Sequence, residues 1–191
     1  LVETGDVIKR MKLQKGEFPA HLFGSPAVPF GQSILFPATD RLLMFNAKNM
    51  SQERSIPVLK SGLGSPAPYE NRLVMVNENG ELLLLNPSDG SVEQRLDTGA
   101  FQMMGSSPSI VGDRAVFGDN PGPVVLADLT TPPVVWEKKI GAEGAGAIYQ
   151  DIAVGEVAVY PYTGDAFHPL ALANGEKLFK SVRSTCNPLY H

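Results

Sequence analysis

Residue types that commonly perform catalysis or bind metals are sparse in this chain of 191 residues. The three histidines are His21, His168 and His191, and no two have the i, i+4 spacing of ligands on one helix. We predict that His168 is satisfied by hydrogen-bond partners or lies at an edge, and that the single cysteine, Cys186, is an inert structural thiol. The sequence therefore predicts no catalytic residue, no cofactor-binding residue and no metal site.

Carboxylates and glycine-rich segments are present, but their patterns favour turns over ligand sites. A calcium site needs roughly six to eight converging oxygen ligands, whereas Asp89, Asp113 and Asp119 stand singly in turn-like contexts. The glycine-rich residues 141 to 146 lack the Lys-Ser/Thr pair of a phosphate-binding loop, and no helical pattern follows them. We interpret this segment as a tight connection.

The composition predicts a chain with many turns and few long helices. It contains 19 glycines and 16 prolines, and only 19% of its residues are charged. No apolar run approaches the ~18 residues of a membrane helix, and the first residues lack a signal-peptide pattern. We therefore expect a soluble chain without a transmembrane segment. The net charge of -4 disfavours general nucleic-acid binding.

Positive charge is concentrated near the start of the chain. Residues 1 to 63 carry eight Lys or Arg and five Asp or Glu, and the excess comes mainly from Lys9, Arg10, Lys12 and Lys15. Alternating cations are typical of a solvated strand edge that resists aggregation, and a patch for polyanions is the alternative. A single cysteine excludes an internal disulfide and is compatible with oxidising and reducing compartments alike.

An internal repeat organises the sequence. Three Ser-Pro motifs recur at spacings of 40 and 42 residues, at Pro26, Pro66 and Pro108. An Asn or Asp follows each proline by 20 residues, at Asn46, Asn86 and Asp128. A degraded fourth copy has Asp151 at the proline place and Ala171 at the Asn/Asp place. Only the second half of each copy varies in length, which predicts that insertions lie in loops on a constant scaffold.

The second copy shows the pattern of each unit most clearly. Asn79 and Gly80 separate two apolar runs, which is a strong hairpin signal because both turn positions favour positive φ. A second turn is expected at Gly90 and the preceding aspartate. Four strands are predicted, at about residues 66 to 69, 72 to 78, 81 to 85 and 91 to 97.

The strands of each unit differ in hydropathy in a regular way. The third strands are almost wholly apolar and are predicted to be buried on both faces, at residues 42 to 45, 82 to 85 and 124 to 127. The outer strands are mixed and are predicted to face solvent. Residues 38 to 56 lack Gly and Pro, so a helix is the alternative there, but their alignment with the hairpin unit favours strands. Four antiparallel strands at a period of 40 to 43 residues predict the blades of a β-propeller.

The repeat resembles the PQQ-like (quinoprotein-type) β-propeller repeat family, which includes BamB-like proteins. The family motif reads approximately D-G-x-L-Y-A-L-D-x-x-T-G-x-x-x-W, and residues 79 to 94 here read N-G-E-L-L-L-L-N-P-S-D-G-S-V-E-Q. The tryptophan place is taken by Trp136 in the third copy and Phe179 in the fourth, and by Arg54 and Gln94 in the first two. The resemblance implies structural roles for Trp136 and Phe179, and for the turn glycines Gly80 and Gly90.

The same alignment divides the chain into about four and a half blades. Residues 1 to 22 are predicted to be the outer half of a preceding blade. Four repeats and the start of a further blade follow, at residues 24–63, 64–104, 105–146, 147–183 and 184–191. We expect the chain to be a single β-propeller segment of a larger propeller, or to be completed by another segment.

The resemblance implies two functions of different kinds. The favoured one is a non-catalytic scaffold for protein-protein interaction, in a bacterial envelope complex and a periplasmic or other extracytoplasmic location. The alternative is a fragment of a quinoprotein dehydrogenase, whose quinone, calcium and catalytic Asp would be held outside this stretch. Such enzymes often carry a vicinal cysteine pair, which is absent here. We therefore expect no cofactor, and as partner another protein or the remainder of the propeller. A propeller that binds polysaccharide would need an aromatic platform, and the sequence shows no clear one.

One connection between repeats carries a candidate binding surface. Phe101, Met103 and Met104 place three large apolar side chains in the length-variable half of the second copy. Methionine and aromatic side chains are frequent at adaptable binding surfaces, so they are the predicted partner-binding residues. In the alternative interpretation, Phe101 and Met103 turn inward and close the ends of the blades.

Overall fold

The computed structural model describes residues 27–38, 41–58, 64–77, 79–98, 107–118, 123–131, 134–140, 151–164 and 166–183. All regular structure in these ranges is β-strand, and no helix is present in them. The strands predicted in place of a helix at residues 38 to 56 are confirmed. Accordingly, the described part of the chain contains no helix that is long and apolar enough to cross a membrane.

Each of the first three repeats forms one four-stranded antiparallel sheet in which sequential strands pair. We call the four repeats units 1 to 4. Unit 1 contains β1 (Val28–Phe30), β2 (Ser33–Pro37), β3 (Arg41–Asn46) and β4 (Gln52–Pro57). Unit 2 contains β5 (Ala67–Tyr69), β6 (Arg72–Val76), β7 (Glu81–Leu85) and β8 (Val92–Asp97). Unit 3 contains β9 (Ser109–Val111), β10 (Arg114–Gly118), β11 (Pro123–Asp128) and β12 (Val134–Lys139).

Unit 4 keeps the order of strands but is not the regular four-stranded blade that the repeat predicts. Its strands are β13 (Ala153–Val154), β14 (Ala158–Tyr160), β15 (Ala166–Phe167), β16 (Leu170–Ala171) and β17 (Val182–Arg183). They form a three-stranded sheet, β13-β14-β16, and a separate pair, β15-β17. Pro161 and Pro169 lie at the breaks, and a proline cannot donate a ladder hydrogen bond. His168 lies in the break between β15 and β16.

The turn at Asn79 and Gly80 joins two strands as predicted, but its geometry differs. Among the described residues of this turn, only Gly80 has a positive φ, of 75°. The backbone N–H of Gly80 donates to the carbonyl of Asn77 (3.0 Å), and the N–H of Asn77 donates to the carbonyl of Glu81 (3.0 Å). The loop is thus one residue longer than a two-residue hairpin, and one left-handed glycine suffices to close it.

The repeated Asn or Asp has a local structural role. Its side-chain oxygen accepts backbone N–H groups of the following turn: Asn46 from Lys48 (2.9 Å), Asn86 from Ser88 (2.8 Å) and Asp128 from Thr130 (2.8 Å). Such Asx turns fix the reversal between the third and fourth strands. Unit 4 keeps the backbone pattern without the side chain, since the N–H of Gly175 donates to the carbonyl of Ala171 as Gly90 does to Asn86 (2.8 Å each).

The core lies between successive sheets. We call the contacts of units 1 and 2, 2 and 3, and 3 and 4 the first, second and third seams. Strand β7 explains how one strand serves two seams, because Leu83 and Leu85 pack in the first and Leu82 and Leu84 in the second. All four side chains are buried, as predicted for the third strands. The outer strand β8 faces solvent, as predicted. Exposed side chains alternate along it with partly or fully buried ones, and Leu96 is buried between exposed neighbours. The described sheets do not close into a ring.

Candidate functional site at the seams between units

The antiparallel order places two kinds of loop at opposite edges of the sheets. The turns between first and second strands and between third and fourth strands share one edge, which we call the turn edge. The hairpins between second and third strands and the connections between units share the other. The predicted partner-binding residues Phe101, Met103 and Met104 belong to a connection that lies outside the described residues. Their role therefore stays a prediction.

The third seam is closed at the turn edge by Trp136. Its side chain is 9% exposed, and its indole N–H donates to the carbonyl of Leu172 in unit 4 (3.0 Å). Gly175, with φ of 69°, lies under the indole, and a Cβ there would stand 2.9 Å from the ring carbons. The tryptophan place thus joins unit 3 to the turn of unit 4 by packing and by one hydrogen bond.

The first seam carries Arg54 at the equivalent place and is open. The Arg54 guanidinium reaches the carbonyl of Ser88 in the turn of unit 2 (3.3 Å), the same kind of contact that Trp136 makes. A guanidinium does not fill the volume of an indole, and Arg54 lines a cavity of about 540 Å³ that adjoins a second one of about 650 Å³. We call them together the first-seam groove. The two cavities share Phe30, Pro87 and Ser88.

Charged side chains of both signs surround the first-seam groove. Glu53 accepts from the Ser33 hydroxyl (2.8 Å) and the Asn46 amide (2.9 Å). The Asn46 bond first, and then the Ser33 bond, hold the pKa of Glu53 below its ordinary value, so the carboxylate stays ionised. Arg72 pairs with Glu70 at 2.8 Å, and its guanidinium carbon lies 5.1 Å from the centre of the neighbouring tyrosine ring.

The Ser-Pro motifs supply hydrogen bonds across the seams. The backbone N–H of Ser65 donates to the buried hydroxyl of Ser107 (2.8 Å), and the N–H of Ser107 donates to Asp151 (3.2 Å). The hydroxyl of Tyr69 donates to Asp113 across the second seam (3.0 Å). Burial first, and then this bond, raise the pKa of Tyr69. The serines were visible in the repeat, but their pairing was not, since it depends on how the units stack.

His168 lies between two hydroxyl groups. Its Nε2 is 2.8 Å from the Thr163 hydroxyl, and its Nδ1 is 3.0 Å from the Ser181 hydroxyl. These contacts join the loop after β14, the break between β15 and β16, and the residues just before β17. This is the environment expected of a histidine satisfied by hydrogen-bond partners.

Exposed apolar side chains are concentrated in unit 4. Of the large apolar side chains that are exposed in the described part of the chain, all but Val135 lie there: Val157, Tyr160, Phe167, Leu178, Phe179 and Val182. Phe179, which aligns with Trp136, is 55% exposed. The segment between Lys177 and Val182 is longer than the facing segment between Phe167 and Leu170, so it bulges away from the sheet.

The described ranges contain no group of three or more His, Cys, Asp or Glu side chains placed to hold a metal ion. Cys186, His21, His191 and the glycine-rich residues 141 to 146 lie outside the described residues.

Comparison with known proteins identifies relatives of the fold. A family model described as outer membrane protein assembly factor BamB matches residues 2–166. The structure of BamB from Moraxella catarrhalis superposes with a TM-score of 0.63 at 14% identity, over 81% of this chain and 51% of that one. A quinohemoprotein alcohol dehydrogenase from Comamonas testosteroni superposes with a TM-score of 0.64 at 11% identity, over 85% of this chain and 35% of that one. This chain therefore spans about half the length of the first protein and a third of the second. No curated relative matches the sequence.

Proposed function

The chain belongs to the family of the outer membrane protein assembly factor BamB, and we propose that it acts as a non-catalytic propeller scaffold that associates with another protein. The setting that the family suggests is a bacterial envelope complex. The observation that carries the proposal is the group of exposed apolar side chains in unit 4. Val157 is 73% exposed, Phe179 55%, Val182 54% and Leu178 49%.

Unit 4 has a described neighbour on one side only, so its exposed apolar side chains are available to another protein or to the remainder of the propeller. In units 1 to 3, strand residues that face a neighbouring sheet are buried in seam clusters. Contiguous apolar surface on a soluble protein favours association, and aromatic side chains within it are frequent hot spots. Leu178 and Phe179 are adjacent in the bulge of unit 4 and lie outside its paired strands. They are therefore the residues on which the proposal is most directly tested.

The experiment compares two double variants in capture of proteins from solubilised bacterial envelopes by the immobilised chain. L178S with F179S tests the described surface, and F101S with M103S tests the connection predicted from sequence. The matched control, K177S with K180S, changes exposed polar residues of the same segment. We expect loss of capture for at least one of the two apolar pairs, with a melting temperature within a few degrees of the parent. Capture that survives both apolar pairs contradicts the scaffold proposal.

A second candidate, part of a quinoprotein dehydrogenase, is favoured by the structural similarity to the quinohemoprotein enzyme. That similarity concerns the fold, because the identity is only 11%. Titration calorimetry with pyrroloquinoline quinone and Ca²⁺ separates the candidates. The scaffold proposal expects no stoichiometric binding, and micromolar stoichiometric binding would reverse the ranking.

A further inference from the structure

Two repeat positions carry polar side chains in units 1 and 2 and apolar side chains in units 3 and 4. In unit 1 they lie at the first-seam groove. They are the bulged residue of the fourth strand and the tryptophan place that follows it. The pairs are Glu53-Arg54, Glu93-Gln94, Val135-Trp136 and Leu178-Phe179. The same bulge forms with a glutamate in units 1 and 2 and with a valine in unit 3. The backbone therefore does not require polar side chains there, and their presence in units 1 and 2 calls for another explanation.

The polar pair in unit 1 coincides with an open surface. Arg54 bridges to Ser88 at its guanidinium tip and leaves the groove beside it, where Trp136 closes the third seam. Phe30 and Pro87 supply apolar contact area to both cavities. Asn71 and Asn86 add amide groups of the kind that bind a peptide main chain. A groove lined by apolar and amide side chains suits an extended peptide.

The balance of charge around the groove indicates which peptide it suits. The guanidinium of Arg72 is already paired with Glu70. Glu53 accepts hydrogen bonds from Ser33 and Asn46 and lies within the field of Arg54, whereas Glu93, which also lines the groove, forms no ion pair with any described residue. Three carboxylates, Glu53, Glu70 and Glu93, and two guanidinium groups, Arg54 and Arg72, therefore line the groove, and the excess of one negative charge favours a cationic ligand.

We propose that the first-seam groove binds an extended peptide segment of a partner protein that carries lysine or arginine side chains. The apolar parts of the segment pack on Phe30 and Pro87, and its cations lie near Glu53 and Glu93. This rests on the proposed association with proteins but names a surface separate from Leu178 and Phe179. The two can fail independently, because this test uses defined peptides and the other uses capture from envelopes.

The test measures fluorescence anisotropy of two labelled, end-capped heptapeptides, Ala-Leu-Lys-Ala-Lys-Leu-Ala and its analogue with both lysines replaced by glutamate. We expect the lysine peptide to bind at least about tenfold more tightly, and its affinity to fall when salt is raised from about 0.05 M to about 0.5 M. Absence of binding, or equal binding of the two peptides, overturns the proposal.

Variants then locate the binding. E93Q, and E53Q with E93Q, should weaken binding of the lysine peptide stepwise, to at least about tenfold for the pair. E137Q with E156Q removes two exposed carboxylates in units 3 and 4 and should change nothing. R54W introduces the aromatic residue that unit 3 carries at this place, should occupy the cavity that Arg54 lines, and should weaken binding while the β-sheet circular dichroism is retained. Binding equal to the parent in either E93Q with E53Q or a folded R54W contradicts the assignment.

Discussion

The first and third seams carry different residues at the same repeat position. The turn edge is filled in the third seam and open in the first. Trp136 closes the third seam, with its N–H on Leu172 and its ring over Gly175. Arg54 also donates to a backbone carbonyl in the turn of the next unit, at Ser88, and leaves a groove. The hydrogen bond across the seam therefore does not depend on the side chain that makes it, whereas filling of the turn edge does.

The first seam stays packed without a tryptophan because its apolar cluster is buried between the two sheets. Leu42, Ile56, Leu73 and Met75 are each at most 2% exposed. The turn of unit 2 also lies directly on strand β4, since a Cβ on Gly90 would stand 2.3 Å from the carbonyl oxygen of Pro57. The third seam has shorter strands in unit 4 and uses Trp136 as part of its cluster. The two seams therefore predict different responses to substitution.

The largest effect is expected for Trp136→Ala. Removal of a buried indole from the third seam should lower the free energy of unfolding by roughly 3 to 5 kcal/mol, because the cavity also leaves the Leu172 carbonyl without its donor. Denaturant titration measures the change. Circular dichroism is the signal for it, because Trp136 is the only tryptophan and the variant has no tryptophan fluorescence. Arg54→Ala is the matched control in the first seam and should cost less than about 1 kcal/mol. Equal losses would show that the seams do not differ as the geometry implies.

A somewhat smaller effect is expected for Gly90→Ala. An alanine with φ of 77° costs about 1–2 kcal/mol, and its Cβ also meets backbone at Pro57, so the first seam must shift. Gly31→Ala is the control, because Gly31 has φ of 58° and open space around its Cβ. We expect Gly31→Ala to cost only the backbone contribution. A Gly90 variant no less stable than the Gly31 variant would contradict direct docking of the turn on β4.

The sequence predicts the repeated elements well because each depends on local signals. Asn86, Gly90 and the apolar third strand fix turns and burial within one unit, and the structure confirms the strands of units 1 to 3 there. It predicts unit 4 less well, because the prolines at 161 and 169 break a ladder whose partners are distant in sequence. The first-seam groove was not predicted at all. Arg54 was recognised as a departure from the family motif, but a groove arises only when units 1 and 2 stack.

Ser107→Ala tests a contact on the inner strands, away from the turn edge. The hydroxyl of Ser107 accepts the backbone N–H of buried Ser65, so its removal leaves that donor without this acceptor. We expect a loss of about 1–3 kcal/mol by denaturant titration. Ser109→Ala, two residues along in β9, is the control for the loss of a hydroxyl. If the two variants lose the same stability, the bond across the second seam contributes little.

The smallest effect concerns Asp128, which occupies the place of Asn46 and Asn86. Hydrogen bonds from the Thr130 hydroxyl, and then from backbone N–H groups of Thr131 and Thr130, lower the pKa of Asp128 from 3.8 to about 2. Because the folded pKa lies below the unfolded one, ionised Asp128 stabilises the fold above about pH 4, and this contribution is lost as pH falls towards 2. Asp128→Asn keeps the side-chain oxygen that Asn46 uses in the same turn.

The melting temperatures of parent and Asp128→Asn, measured from pH 7 to pH 2, test this assignment. The parent should be slightly more stable at pH 7, and the difference should shrink between about pH 4 and pH 2 as the carboxylate is protonated. Asp89→Asn follows the same sign, because the Ser91 hydroxyl and N–H lower the pKa of Asp89. A difference that does not change with pH would mean that the Asx turn of unit 3 gains nothing from its charge. The turns of units 1 and 3 would then be equivalent, and the contrast between their seams would rest on Arg54 and Trp136 alone.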